Sequence, residues 1–265
     1  LPTSNPNRII VYTMNRHQDV LNLYGVNPRS TVAQLLLSDH ISRYVKEEAM
    51  ETARIGSDYI LLPSDRDGYM HLYLYNSNGQ LLRKIGNGNF DITDVYGYDE
   101  KTGDVYYQAA ALNPQDRQIY VAHKDGKTER LTKNEGWNSA VFSSDLRYFV
   151  NCWSDYNTPY LYSTCSNSGK VIANNLDNQP LKQKIREYGW TRRETFSFTT
   201  SEGVKLNGWM IKPADFDPNK KYPVIMFQYS GPGNQQVINS WDAGSMRQGG
   251  AYDQYLAQQG FIVVC

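Results

Sequence analysis

A pattern of tyrosine-bearing strands followed by glycine turns recurs along the first two thirds of the chain and strongly constrains the fold. The tyrosines are Tyr24, Tyr73, Tyr120 and Tyr162, at spacings of 49, 47 and 42 residues. After the last three, a turn follows at a matching distance: Asn78-Gly79, Asp125-Gly126 and Ser168-Gly169. Asn-Gly and Asp-Gly are preferred in two-residue hairpin turns. A repeat of about 40–50 residues built from four short strands is typical of β-propeller blades.

Short strands can be placed around each of these turns. They are predicted at residues 8–14, 21–26, 58–62, 71–75, 80–85, 104–108, 118–121, 128–131, 147–152, 160–162 and 170–173. A β-sandwich is the alternative for so many short strands, but it does not explain the common spacing of tyrosine and turn. Since propellers close with about 4–8 blades, residues 1–183 are predicted to be a partial propeller made of its later blades.

The pattern changes character after the last turn. Residues 177–188 are polar and predict a short helix that connects two domains. Beyond it the sequence predicts a hairpin (194–199 and 205–212), a strand (224–227), a helix (about 244–259) and a strand (261–264). This order is how an α/β sheet begins when its first two strands are antiparallel. We therefore predict a second domain over residues 184–265 and a chain truncated at both ends.

One loop of this second domain is a candidate functional site. The apolar strand Val224–Phe227 ends abruptly at Gln228–Gly233, where glycine and proline force a tight loop. Loops at the carboxyl ends of strands are where open α/β sheets carry their chemistry. Tyr229 lies there, and its hydroxyl can donate a hydrogen bond into a site. Seen by itself it is one aromatic residue among 21 tyrosines.

Composition and motifs exclude several function classes. Lys and Arg number 27 against 27 Asp and Glu, which argues against nucleic acid or an anionic membrane as the main partner. No apolar run approaches the ~18 residues of a membrane span, and no signal peptide is visible in LPTSNPNR. The sequence contains no H-E-x-x-H, P-loop, G-x-G-x-x-G or G-x-S-x-G motif. It therefore predicts no metal, no cofactor and no nucleophile paired with a general base.

The remaining chemically capable residues have a structural interpretation. The four histidines, His17, His40, His71 and His123, have no second histidine or carboxylate at ligand spacing. Glu47, Glu48 and Glu51 are capable of binding a cation, but a solvated helical turn is the more economical explanation. Asp65-Arg66-Asp67 precedes a glycine and predicts a turn with local ion pairing.

The three cysteines leave two alternatives open. Cys152, Cys165 and Cys265 have no metal-binding or redox spacing. Cys152 and Cys165 either face each other across a hairpin or are two free thiols that pack as small hydrophobic groups. The cysteines do not fix the redox compartment.

Three segments together resemble a known family. They are residues 15–24 (NRHQDVLNLY), 64–73 (SDRDGYMHLY) and 221–232 (KYPVIMFQYSGP). They are similar to the prolyl oligopeptidase family of serine peptidases, and within it to the dipeptidyl peptidase IV branch in a bacterial, Bacteroides-type form. The resemblance implies a mainly β chain: the C-terminal blades of an eight-bladed propeller, followed by the first strands of an α/β-hydrolase domain that begins near Thr191.

The resemblance also implies an activity. Peptidases of this branch release Xaa-Pro or Xaa-Ala dipeptides from peptide N-termini by acyl-enzyme hydrolysis, without a cofactor. Tyr229 matches the tyrosine of their oxyanion hole. The catalytic Ser, Asp and His are expected beyond Cys265, so this fragment alone is expected to be inactive. The glutamates that bind the substrate's amino group are expected in an earlier blade, and Glu47 and Glu48 are not their counterparts.

Location and partners follow from the same resemblance. It implies a periplasmic, secreted or cell-envelope protein that acts on peptides with a penultimate proline, and it leaves a homodimer open. Two other functions stay open at this point: a non-catalytic propeller that binds a partner, and a tripeptidyl or acylaminoacyl peptidase of the same family.

Overall fold

The fold was determined as a computed structural model that describes residues 3, 5–46, 48–229, 231, 233–244 and 250–265, with the backbone alone at 48 and 49. The chain consists of two compact units. The first comprises Leu1–Ala111, Ile119–Leu131 and Ser144–Leu146; the second comprises Leu112–Gln118, Thr132–Ser143 and Arg147–Cys265. The sequence predicted one domain boundary, between residues 183 and 184. It does not coincide with the division into these two units, and it stays a prediction.

The first unit is built from antiparallel sheets. Its elements are β1 (Ile9–Met14), β2 (Val20–Val26), β3 (Ala33–His40), α1 (Glu48–Thr52), β4 (Arg54–Ile55), β5 (Tyr59–Ser64), β6 (His71–Asn76), β7 (Leu81–Ile85), β8 (Ile92–Asp99), β9 (Asp104–Ala109), β10 (Gln118–Ala122) and β11 (Thr128–Arg130). Strands that follow one another in sequence are neighbours in the sheets, in the orders β1-β2-β3, β4-β5-β6-β7 and β8-β9-β10-β11.

The central strands of these sheets form the core. All five residues from His71 to Tyr75 in β6 are buried, as is the whole of β10. Leu61, Leu72, Val105 and Tyr107 belong to one buried apolar cluster. The turn between β6 and β7 needs its glycine, because Gly79 has a φ of 82° and a Cβ there would lie 1.9 Å from a backbone oxygen.

The second unit contains one more sheet of the same kind. Its strands β12 (Trp137–Phe142), β13 (Tyr148–Asp155), β14 (Thr158–Ser166) and β15 (Val171–Leu176) also pair in sequence order. In every four-stranded sheet of this type the last three strands match the prediction. The first strands, β4, β8 and β12, were missed, as was β3, because they are very short or interrupted by polar and glycine residues.

The last sheet of the second unit has a different topology. Helix α2 (Gln179–Glu187) precedes the hairpin β16 (Glu194–Thr199) and β17 (Lys205–Ile211), followed by β18 (Val224–Met226), α3 (Ala251–Gln258) and β19 (Ile262–Val264). The sheet order is β16-β17-β19-β18, with β18 parallel to β19 and the other pairs antiparallel. The predicted order of hairpin, strand, loop, helix and strand is therefore present. Among the described residues, no helix is both long enough and apolar enough to cross a membrane.

The cysteine alternatives are decided by the register of β13 and β14. Cys152 lies opposite Tyr162, whereas Cys165 lies opposite Phe149. The two cysteines therefore do not face each other, and all three thiols are free. Burial raises the pKa of both the Cys152 and the Cys165 thiol, which disfavours the reactive thiolate.

Candidate functional site

The loop that follows β18 starts at an edge of the last sheet. Residues Val224, Ile225 and Met226 pair in parallel with Ile262, Val263 and Val264. The ladder continues one residue further, because the Phe227 amide donates to the Val264 carbonyl at 2.8 Å. Parallel strands end at the same edge of a sheet. Gln228 and Tyr229 therefore leave the sheet where the carboxyl ends of β18 and β19 meet.

Tyr229 is exposed and its ring folds back over its own loop. The residue has 61% of its surface accessible. A Cβ atom added to Gly231 would lie 2.7 Å from Cε1 and 3.2 Å from the hydroxyl oxygen of Tyr229. The absence of a side chain at 231 thus makes room for the ring. Within the described part of the chain the Tyr229 hydroxyl has no hydrogen-bond partner; Ser230 and Pro232 lie outside that part.

The segment after the loop is tied to the turn that precedes β10. Gln235 donates from Nε2 to the Pro114 carbonyl at 2.6 Å and to the Val237 carbonyl at 2.9 Å. Its Oε1 accepts a hydrogen bond from Nη2 of Arg117 at 2.7 Å. One amide side chain therefore bridges two segments that are more than a hundred residues apart in sequence.

Asn239 makes a second bridge to the same turn. Its backbone amide donates to the Gln115 carbonyl at 2.9 Å, and its Nδ2 donates to Asp116 Oδ1 at 2.8 Å. Its Oδ1 accepts a hydrogen bond from the Tyr156 amide at 3.1 Å. Since both ends of this side chain are used, its orientation is fixed from both sides.

The end of β13 supplies further contacts to this segment. The Tyr156 hydroxyl donates to Gln115 Oε1 at 2.8 Å. Ser154 Oγ lies 3.3 Å from Ser240 Oγ and accepts from the Trp241 amide at 3.1 Å. Ser154 and Ser240 are both buried. The chain that leaves the Tyr229 loop is therefore held by a network of polar groups, exposed at Gln235 and buried at Ser154 and Ser240, rather than by apolar packing alone.

A buried arginine lies under helix α3. Arg193 donates from Nη1 to the Tyr156 carbonyl at 3.2 Å, and its Nη2 lies 3.9 Å from Asp253 Oδ2. Burial lowers the pKa of Arg193 to about 10, while the charge of Asp253 opposes that shift. Gly250 has a φ of 70°, and a Cβ there would lie 1.8 Å from Arg193 Nη2, so a larger residue would be strained and would have to displace the guanidinium. This pair fixes the start of α3 against the segment before β16.

The structure gives three of the histidines carboxylate partners that sequence spacing did not reveal. His71 Nδ1 lies 3.3 Å from Asp67 Oδ1, and His123 Nδ1 lies 3.0 Å from Asp104 Oδ1. His40 Nε2 lies 3.9 Å from an oxygen of Asp19. Asp67 lies only four residues before His71, whereas Asp19 and Asp104 lie about twenty residues from their histidines and are brought close by the fold. The described residues contain no group of three potential metal ligands.

The predicted local ion pairing of Asp65-Arg66-Asp67 is wrong in its partners. Gly68 does close a turn on the Asp65 carbonyl. Arg66, however, pairs through Nε with the buried Asp39 at 3.0 Å and lies over the ring of Tyr73. Asp67 pairs with Lys84 on β7. Arg66 and Asp67 therefore form ion pairs with residues of β3 and β7, and not with each other.

The acidic cluster after β3 is only partly described. Glu47 lies outside the described residues, and the side chain of Glu48 does too. Glu51 is exposed on α1. The prediction of a solvated helical turn therefore stays a prediction for the two paired glutamates.

Comparison with known proteins decides the family. Residues 3–160 match the family model described as Dipeptidyl peptidase IV (DPP IV) N-terminal region. The chain belongs to the DPP IV family. Among curated relatives, dipeptidyl peptidase 4 of Arthroderma otae is 30% identical over 193 residues, which is 71% of this chain and 25% of that protein. Dipeptidyl peptidase 4 of Trichophyton rubrum is 29% identical over 193 residues, again 71% of this chain and 25% of that protein. The chain spans about a quarter of the length of these DPP IV relatives.

Two crystal structures of DPP IV type resemble the chain over nearly its whole length. Porphyromonas gingivalis dipeptidyl peptidase 4 superimposes with a TM-score of 0.91 at 34% identity, over 99% of this chain and 37% of that one. A putative dipeptidyl aminopeptidase IV from Bacteroides ovatus gives 0.80 at 23% identity, over 97% and 39% respectively, and this likeness concerns the fold alone. The predicted fold, propeller blades in a mainly β chain, is confirmed. The role of Tyr229 stays a prediction.

Proposed function

We propose that the full-length protein containing this chain is a serine dipeptidyl peptidase that releases Xaa-Pro or Xaa-Ala dipeptides from peptide N-termini. Membership of the DPP IV family supports the peptidase activity, as does the likeness to relatives named dipeptidyl peptidase 4. The serine mechanism and the proline preference rest on the motif resemblance. In this proposal the mixed sheet β16–β19 is the start of an α/β-hydrolase domain.

The observation that carries the proposal is the position of Tyr229. Attack of a serine on the scissile carbonyl converts its oxygen into an oxyanion, which needs hydrogen-bond donors placed in advance. Tyr229 stands on the first loop beyond a parallel strand, with an exposed ring held over Gly231 and a hydroxyl that no described residue engages. Such a hydroxyl is free to donate to the oxyanion as it forms.

The network behind the loop supports the same role. A donor helps only if its position does not change during the reaction, because reorganisation would cost part of the stabilisation. Gln235 and Asn239 tie the segment after the loop to the turn at Pro114–Asp116. We therefore assign these two amides the task of positioning the segment that continues from Tyr229.

Replacement of Tyr229 by phenylalanine tests the assignment. In the full-length protein Tyr229→Phe removes the donor and keeps the ring, so we expect kcat for a Gly-Pro amide to fall tens- to thousandsfold, since one oxyanion donor contributes about 3–4 kcal/mol. Folding, followed by circular dichroism and melting temperature, is expected to stay unchanged.

Tyr255→Phe is the matched control, because Tyr255 is another exposed tyrosine, on helix α3. It is expected to retain full activity. The 265-residue chain alone is the negative control, as its sequence contains no G-x-S-x-G motif. Unchanged turnover by Tyr229→Phe would refute the oxyanion role, and Gly-Pro amide hydrolysis by the isolated chain would refute the assignment of the nucleophile to residues outside it.

Location and substrate partners form part of the proposal. We place the full-length protein in the periplasm, the cell envelope or the external medium, where it meets peptides with a penultimate proline. Fractionation of cells and assay of each fraction with a Gly-Pro amide tests the location. Activity confined to the cytosolic fraction would contradict it.

A further inference from the structure

A cleft of about 380 Å³ opens beside helix α2 in the second compact unit. Its volume falls in the range of small-molecule sites, roughly 300–1,000 Å³. The lining residues, all in the described part of the chain, include four cationic side chains and no carboxylate. The cationic side chains are Lys182, Arg186, Arg192 and Arg193. The proposed peptidase chemistry makes no use of this cleft.

Three of these cations have no acidic partner among the residues that the structure describes. Lys182 and Arg186 are four residues apart on α2, so they lie on the same face of the helix. Among the described residues no carboxylate lies within 4.0 Å of the charged groups of Lys182, Arg186 or Arg192. Like charges gathered without a counter-charge repel one another, and an anion in the cleft would relieve that repulsion.

Arg193 differs from the other three. Its side chain is almost fully buried and faces Asp253 at 3.9 Å. It therefore adds to the positive potential of the cleft but already has a counter-charge. The inference rests on the other three cations.

A pair of stacked tryptophans forms another part of the lining. The ring centroids of Trp190 and Trp241 lie 5.4 Å apart with an angle of 12° between the planes. Trp241 is buried, and its backbone amide donates to Ser154 Oγ at 3.1 Å. Its position is therefore fixed by the polar network behind the Tyr229 loop. Indole rings offer flat apolar surfaces that suit aromatic or other planar groups.

We propose that this cleft binds a small organic anion, a carboxylate or a phosphate monoester, that carries a flat apolar group. Its anionic oxygens would accept charge-assisted hydrogen bonds from Lys182, Arg186 and Arg192. Its flat part would pack against the indole rings of Trp190 and Trp241. The proposal is independent of the peptidase assignment, since it names a second site with its own ligand chemistry.

Calorimetric titration of the full-length protein tests this site. The probes are phenyl phosphate, benzoate and inorganic phosphate. We expect saturable binding of phenyl phosphate or benzoate, and the stronger of the two identifies the anionic group. Inorganic phosphate is expected to bind more weakly than phenyl phosphate, because it has no group to place on the tryptophans. Equal affinity for the two would overturn the aromatic part of the proposal.

The double variant Lys182→Gln, Arg186→Gln assigns the binding to the cleft. It is expected to weaken binding of the preferred probe about tenfold or more, because two charged donors are lost. Lys184→Gln is the matched control: Lys184 is exposed on the same helix and does not line the cleft. Absence of saturable binding to the unmodified protein, full affinity of the double variant, or an equal loss with Lys184→Gln would each overturn the proposal.

Discussion

The blade sheet β8–β11 and the mixed sheet β16–β19 differ in how much of their apolar surface the described residues cover. In the blade, five of six residues of β9 and all of β10 are buried. In the mixed sheet, β16 has five of its six residues exposed. Val224 and Met226 on β18 are 58% and 66% exposed. The edge strand β11 of the blade is also exposed, but its residues Thr128, Glu129 and Arg130 are polar, whereas the edge strands of the mixed sheet present apolar side chains to their surroundings.

The two sheets also differ in the range of their strand pairings in sequence. Each strand of a blade pairs with the next one along the chain, so about forty residues complete the unit. The mixed sheet needs a long-range pairing, of Met210 and Ile211 with Val264 and Val263. The blades are therefore hydrogen-bonded by local pairing and are covered by neighbouring sheets, since Leu61 and Leu72 share one apolar cluster with Val105 and Tyr107. The loop of Tyr229 belongs to the sheet that depends on a long-range pairing.

The largest expected effect on stability comes from leucine-to-alanine variants in the two sheets, and these variants test the comparison. Leu62 on β5 is fully buried in an apolar cluster, and Leu206 on β17 is 43% exposed. Leu62→Ala is expected to lower the free energy of unfolding by about 2–5 kcal/mol through lost burial and a cavity. Leu206→Ala is expected to cost about 0.5 kcal/mol.

Hydrogen exchange of the full-length protein, read on peptides from β5 and β17, provides the measurement. It reports local stability even when the whole protein does not unfold in two states. A cost for Leu206→Ala as large as that for Leu62→Ala would break the comparison. It would show that other parts of the full-length protein cover β17.

A variant of the Tyr229 loop gives a smaller expected effect. Gly231→Ala places a methyl group 2.7 Å from the Tyr229 ring, so the ring has to move. A displacement of about 1 Å in a catalytic group can cost up to a hundredfold in rate. We expect kcat for a Gly-Pro amide to fall about ten- to a hundredfold in the full-length protein.

Two further variants separate this effect from general disturbance of the loop. Gly233→Asn is the control, because Gly233 has a φ of 74°, which asparagine tolerates, and a Cβ there would meet nothing within 4 Å. Adding Tyr229→Phe to Gly231→Ala is expected to cause no more loss than Tyr229→Phe alone. Additive losses would mean that Gly231 acts independently of the tyrosine hydroxyl.

The sequence predicted the blades better than the site, for a physical reason. Tyrosine spacing and glycine turns report local pairing, and the last three strands of each four-stranded blade were found from them. The partners of Arg66 and His123 were not, since they depend on which turns and strands meet. The bridges made by Gln235 and Asn239 span more than a hundred residues and leave no periodic signal. Tyr229 itself was singled out by motif resemblance, because its chemistry is common to every tyrosine.

The smallest expected effect is the change in the free energy of unfolding of the blades at alkaline pH. Burial raises the pKa of Tyr107 to about 12 from the ordinary 10. Between pH 10 and 12 the unfolded chain has released this proton while the folded blade retains it, so the free energy of unfolding falls as the pH rises. From pH 9 to pH 11 this group alone is expected to account for a fall of about 1.4 kcal/mol. Tyr107→Phe removes that contribution, so urea unfolding of the variant is expected to depend less steeply on pH.

Tyr148→Phe serves as the control, because Tyr148 is 45% exposed at the start of β13. It removes one phenol from the surface, whereas Tyr107→Phe removes one from the core. The ring of Tyr107 stacks on Tyr120 with centroids 5.6 Å apart, and phenylalanine preserves that contact. The Tyr107 hydroxyl is hydrogen-bonded to Thr128. A loss of stability at pH 7 in Tyr107→Phe therefore reports that hydrogen bond, whereas the change in slope reports burial. Equal slopes for the two variants would mean that the blade core opens to water before its tyrosine ionises.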